Sequence, residues 1–295
     1  MASQPMKDFV EHTWRSPDGL EIYFRDYAGA AGEARLPVIC LHGLTRNSQD
    51  FEEIAAAIAR SGRRVIVPDM RGRGRSAYDP DSMHYVPKIY ARDVIGLLKA
   101  LGIGRAHFLG TSMGGIISMV VASLRGSMVA GAILNDIGPE AAPEGLKRIG
   151  AYAGQPIEIA TWADATAYVE RINKAAFPDA DRATWERFAR RTFTKDEDGA
   201  PRLDYDARIR EPILAGKLKV PRFLAWLLFR RLARRRPLLV LRGVLSDILT
   251  PPIVEQMKKR APHMILCEVP RVGHAPLLSE PEAERAILSF LDALA

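Results

Sequence analysis

The chain has few of the features that mark secreted, membrane-spanning or repetitive proteins. It has two cysteines in 295 residues, and both Cys40 and Cys267 lie in apolar strand-like runs where a buried, reduced thiol is expected. No run of about 18 apolar residues is present, and residues 1–16 lack the apolar core of a signal peptide. There is no internal repeat and no low-complexity linker. We therefore expect a cytoplasmic protein without stable membrane insertion.

Acidic residues are scarce relative to basic ones in only one part of the chain. The net charge is +7, and residues 139–236 carry 20 Lys and Arg against 14 Asp and Glu, whereas the remainder carries 22 against 21. No nucleic-acid-binding motif accompanies these basic residues. We therefore expect no nucleic-acid partner, and the sequence does not indicate an oligomeric state.

Strands and helices alternate through the first half of the chain. Two strands around a Ser-Pro-Asp-Gly turn are predicted over residues 10–28. Apolar strand-like runs then begin near residues 37, 64, 105 and 130, separated by segments of helical periodicity. This alternation is typical of the α/β class, in which a mostly parallel sheet has helices on both faces.

The alternation stops after residue 138. Residues 139–236 are helical and charged in character and are interpreted as an inserted helical lid, which divides the core into residues 1–138 and 237–295. Residues 221–236 predict a lid helix with an apolar half and a basic carboxyl end. Its apolar half could pack on the core, cover a site or touch a membrane, and we favour packing on the core.

A Gly-x-Ser-x-Gly motif, Gly110-Thr111-Ser112-Met113-Gly114, lies between a predicted strand and a predicted buried helix. A serine on such a turn has a positive φ, and its side chain would crowd the residues two before and two after. Glycine at positions 110 and 114 removes that crowding. The pattern therefore predicts an exposed, nucleophilic Ser112.

A serine hydroxyl needs a neighbouring base, and His274, in a loop after the last strand, can supply one. The base in turn needs a carboxylate that fixes its tautomer. Asp247, after the strand that begins at residue 238, gives the chain order Ser, Asp, His and is favoured. Asp136, after the strand ending at residue 134, is the alternative.

These motifs, together with Leu41-His42-Gly43-Leu44, resemble those of the α/β-hydrolase fold superfamily, and the match covers nearly all of the chain outside the lid. The resemblance implies a sheet of the eight-stranded type. It also implies an oxyanion hole made by the N–H groups of Leu44 and Met113, with Gly43 allowing close approach and His42 bracing the loop. Asp247, 27 residues before His274, matches the usual position of the acid in this superfamily.

Within the superfamily the chain is similar to bacterial serine esterases, enol-lactone hydrolases and meta-cleavage-product hydrolases. This implies a serine hydrolase that cleaves a small or medium carboxylic ester or lactone with water, without a cofactor. The alternatives are hydrolysis of a carbon–carbon bond in a diketone by the same residues, and a non-catalytic ligand receptor. We interpret the Arg-Gly-Arg run at residues 71–75 and the polar group Asp79, Asp81 and His84 as structural loops, and we expect no metal.

Overall fold

The computed structural model describes residues 8–29 and 35–294. Residues 1–7, 30–34 and 295 lie outside the described part of the chain, and so do the first residues of the predicted core and part of the segment expected to lack a signal peptide. No helix in the described part is both long enough and apolar enough to cross a bilayer.

Eight of the ten strands form one sheet, in the order β1-β2-β4-β3-β5-β6-β9-β10. The strands are β1 (Val10–Arg15), β2 (Glu21–Tyr27), β3 (Val38–Leu41), β4 (Val65–Pro68), β5 (Ala106–Thr111), β6 (Val129–Asn135), β7 (Phe193–Lys195), β8 (Pro201–Leu203), β9 (Leu238–Gly243) and β10 (Ile265–Val269). Strand β2 pairs antiparallel with β1 and β4, and the other pairings in the sheet are parallel. The prediction of a mostly parallel eight-stranded α/β sheet is confirmed.

Ten α-helices are present in the described part of the chain. They are α1 (Glu52–Arg60), α2 (Pro87–Ala100), α3 (Met113–Leu124), α4 (Pro143–Gly150), α5 (Trp162–Asn173), α6 (Arg182–Thr192), α7 (Glu211–Leu214), α8 (Arg222–Ala233), α9 (Pro251–Arg260) and α10 (Pro281–Asp292). Proline occupies the start of five of them, where its missing N–H removes no intrahelical bond.

The sheet is covered on both faces because successive side chains of a strand point in opposite directions. In β3, Ile39 and Leu41 face a core shared with α2, α3, α8 and α9, whereas Val38 and Cys40 face a second core shared with α1 and α10. A strand buried on both faces is apolar at every position, as the near-continuous apolar runs in the sequence indicate.

The segment between β6 and β9 contains α4 to α8 and the antiparallel hairpin β7-β8. The sequence did not predict this hairpin, which is short and mostly exposed. Helices α5 and α6 share a separate apolar cluster that includes Tyr168, Phe177 and Trp185. Helix α8 instead buries Trp226 and Phe229 in the main core, as expected, whereas Phe223 and Leu227 of its apolar half stay exposed.

Candidate active site

Ser112 occupies the sharp turn between β5 and α3, with φ 50°. The glycines on either side are required, but for a reason different from the one expected. A Cβ at Gly110 would lie 2.4 Å from the carbonyl carbon of Gly114, and a Cβ at Gly114 would lie 1.9 Å from the carbonyl oxygen of Leu41. A side chain at either glycine would thus clash with the backbone rather than with the serine side chain. Glycine at both positions lets β3, β5 and α3 approach closely enough to present the hydroxyl.

The side chains of Ser112, His274 and Asp136 form a continuous chain of hydrogen bonds. His274 Nε2 lies 2.9 Å from Ser112 Oγ, and His274 Nδ1 lies 2.8 Å from Asp136 Oδ2. The imidazole side chain is 8% exposed and the carboxylate is fully buried. A buried carboxylate accepting from Nδ1 leaves Nε2 free to take the serine proton.

Asp136 follows β6 directly and has a positive φ of 55°. Its Oδ1 accepts the backbone N–H of Gly243 at 2.9 Å, and its Oδ2 accepts the hydroxyl of Ser246 at 2.5 Å. These donors stabilise a buried negative charge that would otherwise be costly. Ser246 therefore contributes to this site through Asp136, which sequence reasoning did not anticipate.

The expected contact between Asp247 and His274 is not what the structure shows. The carboxylate of Asp247 accepts from Arg148 of α4, with Nε···Oδ2 at 2.6 Å and Nη2···Oδ1 at 2.8 Å, and the hydrogen bond from Arg148 lowers the pKa of Asp247. Parallel strands β6 and β9 end at the same edge of the sheet, so a carboxylate after either strand can approach the histidine. The side chain of Ser246 is turned towards Asp136, and Asp247 extends outwards to α4.

The two expected oxyanion-hole residues flank the serine. Leu44 lines the cavity beside Ser112, and Met113 is the first residue of α3, so its N–H has no intrahelical acceptor. A Cβ at Gly43 would lie only 4.0 Å from the Cβ of Ser112, which shows how closely this loop approaches. Leu44 and Met113 thus both lie beside Ser112, which is where oxyanion donors are required.

His42 is fully buried and joins the loop after β3 to the loop after β4. Its Nδ1 lies 2.8 Å from the carbonyl oxygen of Gly43, and its Nε2 accepts the N–H of Met70 at 2.9 Å. Burial lowers the pKa of His42 to about 4, so the ring is neutral and Nδ1 carries the donating hydrogen. These contacts match the bracing role expected of His42.

Arg73 is a residue of this site that the sequence did not reveal. Its guanidinium is fully buried, donates to the carbonyl oxygen of Leu44 at 3.0 Å and to the hydroxyl of Tyr90 at 2.7 Å, and approaches the sulfur of Met113 at 4.0 Å. It therefore touches both residues of the expected oxyanion hole. The Arg-Gly-Arg run gave no signal for this, because the contact joins loops distant in sequence.

Asn135 also organises the site. Its side-chain Nδ2 donates to Thr111 Oγ1 at 3.1 Å and to the carbonyl oxygen of Pro276 at 2.8 Å. Its backbone carbonyl oxygen accepts the N–H of Ser112 at 3.0 Å. One residue thus ties the serine turn to the loop that carries His274. The only sequence feature that could have indicated this role of Asn135 was its position directly before Asp136.

A cavity of about 400 Å³ opens over Ser112 and His274. Its walls come from the loop after β3, from α4, α5 and α6, and from the hairpin β7-β8. Three arginines line it: Arg46, Arg187 and Arg191. Arg46 pairs with Asp50 at 2.6 Å and Arg191 pairs with Glu53 at 2.6 Å. Arg187 of α6 forms no ion pair with any described carboxylate and donates to Thr184 at 3.1 Å.

A second cluster of polar side chains lies in the loop between β1 and β2 and the loop after β4. Ligand atoms of Asp18, Asp79 and His84 come within 4.8 Å of one another, a spacing that could hold a cation. The fully buried guanidinium of Arg71, however, donates to Asp18, to Asp79 at 2.5 Å and to Asp93. These carboxylates already neutralise a buried cation, and the group is best described as the ion-pair anchor of the loop after β4.

A mostly parallel sheet with a serine on a strand-to-helix turn, a histidine after the last strand and a buried carboxylate is the arrangement that defines the α/β hydrolases. The sequence model of the alpha/beta hydrolase family matches residues 38–286, and the chain belongs to that family. It is accordingly a hydrolase by family.

Known proteins resemble the chain over nearly its whole length. A 3-hydroxybutyrate-oligomer hydrolase of Cupriavidus necator is 35% identical, over 95% of this chain and 96% of that protein. The crystal structure of an alpha/beta hydrolase from Novosphingobium aromaticivorans superposes with a TM-score of 0.92 at 42% identity, covering 98% of this chain and 100% of that one. A putative hydrolase from Rickettsia typhi has a TM-score of 0.83 at 28% identity, covering 97% and 99%.

Proposed function

We propose that the chain is a serine hydrolase of short carboxylic esters or lactones, with Ser112 as nucleophile, His274 as general base and then acid, and Asp136 as the carboxylate that orients His274. The observation that carries this proposal is the unbroken hydrogen-bond chain from Ser112 through His274 to Asp136, buried except at the cavity. Nucleophile, base and orienting acid are the three parts that acyl transfer by serine requires.

The chemistry follows from this geometry. Ser112 Oγ attacks the ester carbonyl carbon while its proton moves to His274 Nε2, and the N–H groups of Leu44 and Met113 receive the developing oxyanion. The alcohol leaves with the proton from Nε2, and an acyl-enzyme remains on Ser112. Water then attacks the acyl carbon and gives a proton to Nε2. The bond between the acyl carbon and Ser112 Oγ breaks, the carboxylic acid leaves, and Nε2 returns the proton to Ser112 Oγ.

The cavity supports a substrate with a free carboxylate. Its other arginines are already neutralised by Asp50 and by Glu53, whereas Arg187 carries a charge that no described carboxylate offsets within ion-pair distance. The Cupriavidus necator relative is named for 3-hydroxybutyrate oligomers, which are short esters ending in a carboxylate. We therefore favour short hydroxyacid oligoesters as the substrate class.

The test is turnover of the 3-hydroxybutyrate dimer, its methyl ester and p-nitrophenyl butyrate by the purified chain, with Ser112→Ala as the control for background hydrolysis. We expect the wild type, but not Ser112→Ala, to hydrolyse all three substrates. The dimer with a free carboxylate should have a higher kcat/KM than its methyl ester. Activity restricted to vinylogous diketo acids would instead assign carbon–carbon bond hydrolysis. No turnover of any substrate by folded protein would favour a receptor.

A further inference from the structure

The net charge of the protein is concentrated in a segment far smaller than the lid. Residues 211–236 contain eight of the 42 Lys and Arg residues and one of the 35 Asp and Glu residues, so the rest of the chain has 34 of each and no net charge. These 26 residues therefore carry the whole excess of +7. Such a local excess attracts polyanionic surfaces.

The same segment carries an exposed apolar group. Phe223 is 74% exposed and Leu214 is 70% exposed, and three further exposed apolar side chains are Val220, Leu224 and Leu227. All of them lie within residues 214–227, and exposed large apolar side chains concentrated in one segment are typical of an interaction site. We call the exposed side chains of residues 214–235 the basic apolar surface.

Helix α8 carries members of both groups on its exposed side. Trp226, Phe229 and Leu232 face the core at helical spacing. The opposite side of the helix is left with Phe223 and Leu227 in its first half and with arginines in its second half. The helix is thus anchored by one side and presents the other.

Most cations of the basic apolar surface are not neutralised within the protein. Among the described residues of this segment, only Arg222 forms an ion pair across the surface, with Glu140 at 2.6 Å. Arg236 is turned inwards and donates to the carbonyls of Gly126 and Val129. The exposed cations without a described carboxylate partner are Lys217, Lys219, Arg230, Arg231, Arg234 and Arg235. At the end of α9, Arg260 stacks on Trp226, which extends the basic area.

We propose that the basic apolar surface docks the enzyme reversibly onto anionic phospholipid bilayers. Exposed apolar side chains flanked by Lys and Arg are the composition that binds such an interface, because apolar groups enter the acyl boundary while cations contact the headgroups. A second copy of the chain is a poor occupant, since a symmetric contact would bring two such cationic segments together. A nucleic-acid phosphate backbone would leave the apolar side chains without a partner.

The experiment is co-sedimentation of the full chain with phosphatidylcholine vesicles and with vesicles that also contain phosphatidylglycerol. We expect binding only to the anionic vesicles, weakened by added salt because headgroup attraction is screened. R234Q/R235Q should lower the partition coefficient by about fivefold for each cation removed, and F223S/L227S should lower it by about tenfold or more. The matched controls R92Q/K99Q and I265S, exposed elsewhere, should bind as the wild type does.

Hydrolysis of soluble p-nitrophenyl butyrate and thermal unfolding should be unchanged in all of these variants, which separates docking from catalysis and from folding. Protein that stays in the supernatant with phosphatidylglycerol vesicles at low salt would overturn the proposal. So would equal binding by wild type, R234Q/R235Q and F223S/L227S. Binding to duplex DNA but not to vesicles, or a dimer lost in F223S/L227S without vesicle binding, would replace the proposed partner.

Discussion

Asp136 Oδ2 lies 2.8 Å from His274 Nδ1, and this carboxylate rather than that of Asp247 contacts the imidazole. Asp136 is fully buried and holds two further donors, whereas Asp247 is partly exposed and paired with Arg148. The two carboxylates therefore have separable roles, which mutation can distinguish.

Asp136→Asn should lower kcat by about a thousandfold to ten-thousandfold, because an amide no longer fixes the tautomer or balances the imidazolium. Asp247→Asn is the matched control and should keep most of the activity, since it loses only the contact with Arg148. Steady-state kinetics on p-nitrophenyl butyrate compares the two. The reverse ranking would show that the acid acts from position 247 during turnover.

Arg73→Lys should lower kcat by about tenfold to hundredfold with little change in KM, because a lysine cannot hold Leu44 and Tyr90 together and the oxyanion donors lose their alignment. Arg75→Lys, in the same loop but exposed and paired with Glu11, is the control. Melting temperatures of both variants show whether the loss is one of stability. A drop in kcat that merely follows unfolding would contradict a positioning role.

Arg187→Gln should raise KM for the 3-hydroxybutyrate dimer by about twofold to fivefold, the effect of losing one solvent-exposed charge contact. Turnover of p-nitrophenyl butyrate, which has no carboxylate, should not change. Arg190→Gln removes a charge from the same helix at a residue that stacks on Trp162, and it should affect neither substrate. Equal KM effects on acid and neutral esters would argue against carboxylate recognition at Arg187.

His107 should make the fold sensitive to acid. Burial lowers its pKa from 6.5 to about 4, and neither ring nitrogen has a hydrogen-bond partner among the described residues. Below pH 6.5 the unfolded chain therefore binds a proton that the folded chain resists, and the free energy of unfolding falls as the pH drops from 6.5 towards 4.

His107→Leu should reduce that loss by about 1.4 kcal/mol per pH unit in this window and leave the pH dependence above it unchanged. Urea unfolding at neutral pH and near pH 5 measures the slope for both proteins, which avoids any constant effect of the new side chain. His42, with a pKa also lowered to about 4, contributes a similar loss that remains in the variant. Identical slopes in the two proteins would contradict this account.

The sheet and the serine turn could be predicted because they depend on local pattern. Apolar runs with helical or strand periodicity surround Ser112 directly, and the glycines mark the tight turn. The triad acid could not be resolved from one sequence. Two adjacent parallel strands end at one edge, and only tertiary hydrogen bonds, such as that from Ser246 to Asp136, decide which carboxylate turns inwards.

Contacts between distant loops were also outside the reach of the sequence. Arg73 meets Leu44 and Asn135 meets Pro276 across 29 and 141 residues. No periodicity or motif encodes such pairs. The hairpin β7-β8 was missed for a different reason. Each of its two strands has three residues and is buried only at its first residue, which gives too short a pattern to recognise.

We propose that Ser112 is a nucleophile activated by His274. Reaction with a fluorophosphonate probe, followed by peptide mass spectrometry, tests it most directly, because the probe labels a serine only where a base and oxyanion donors make it reactive. We expect a single adduct on the peptide containing Ser112, lost in His274→Ala and greatly slowed in Asp136→Asn. An unlabelled Ser112 in folded wild-type protein, or equal labelling after removal of His274, would contradict it.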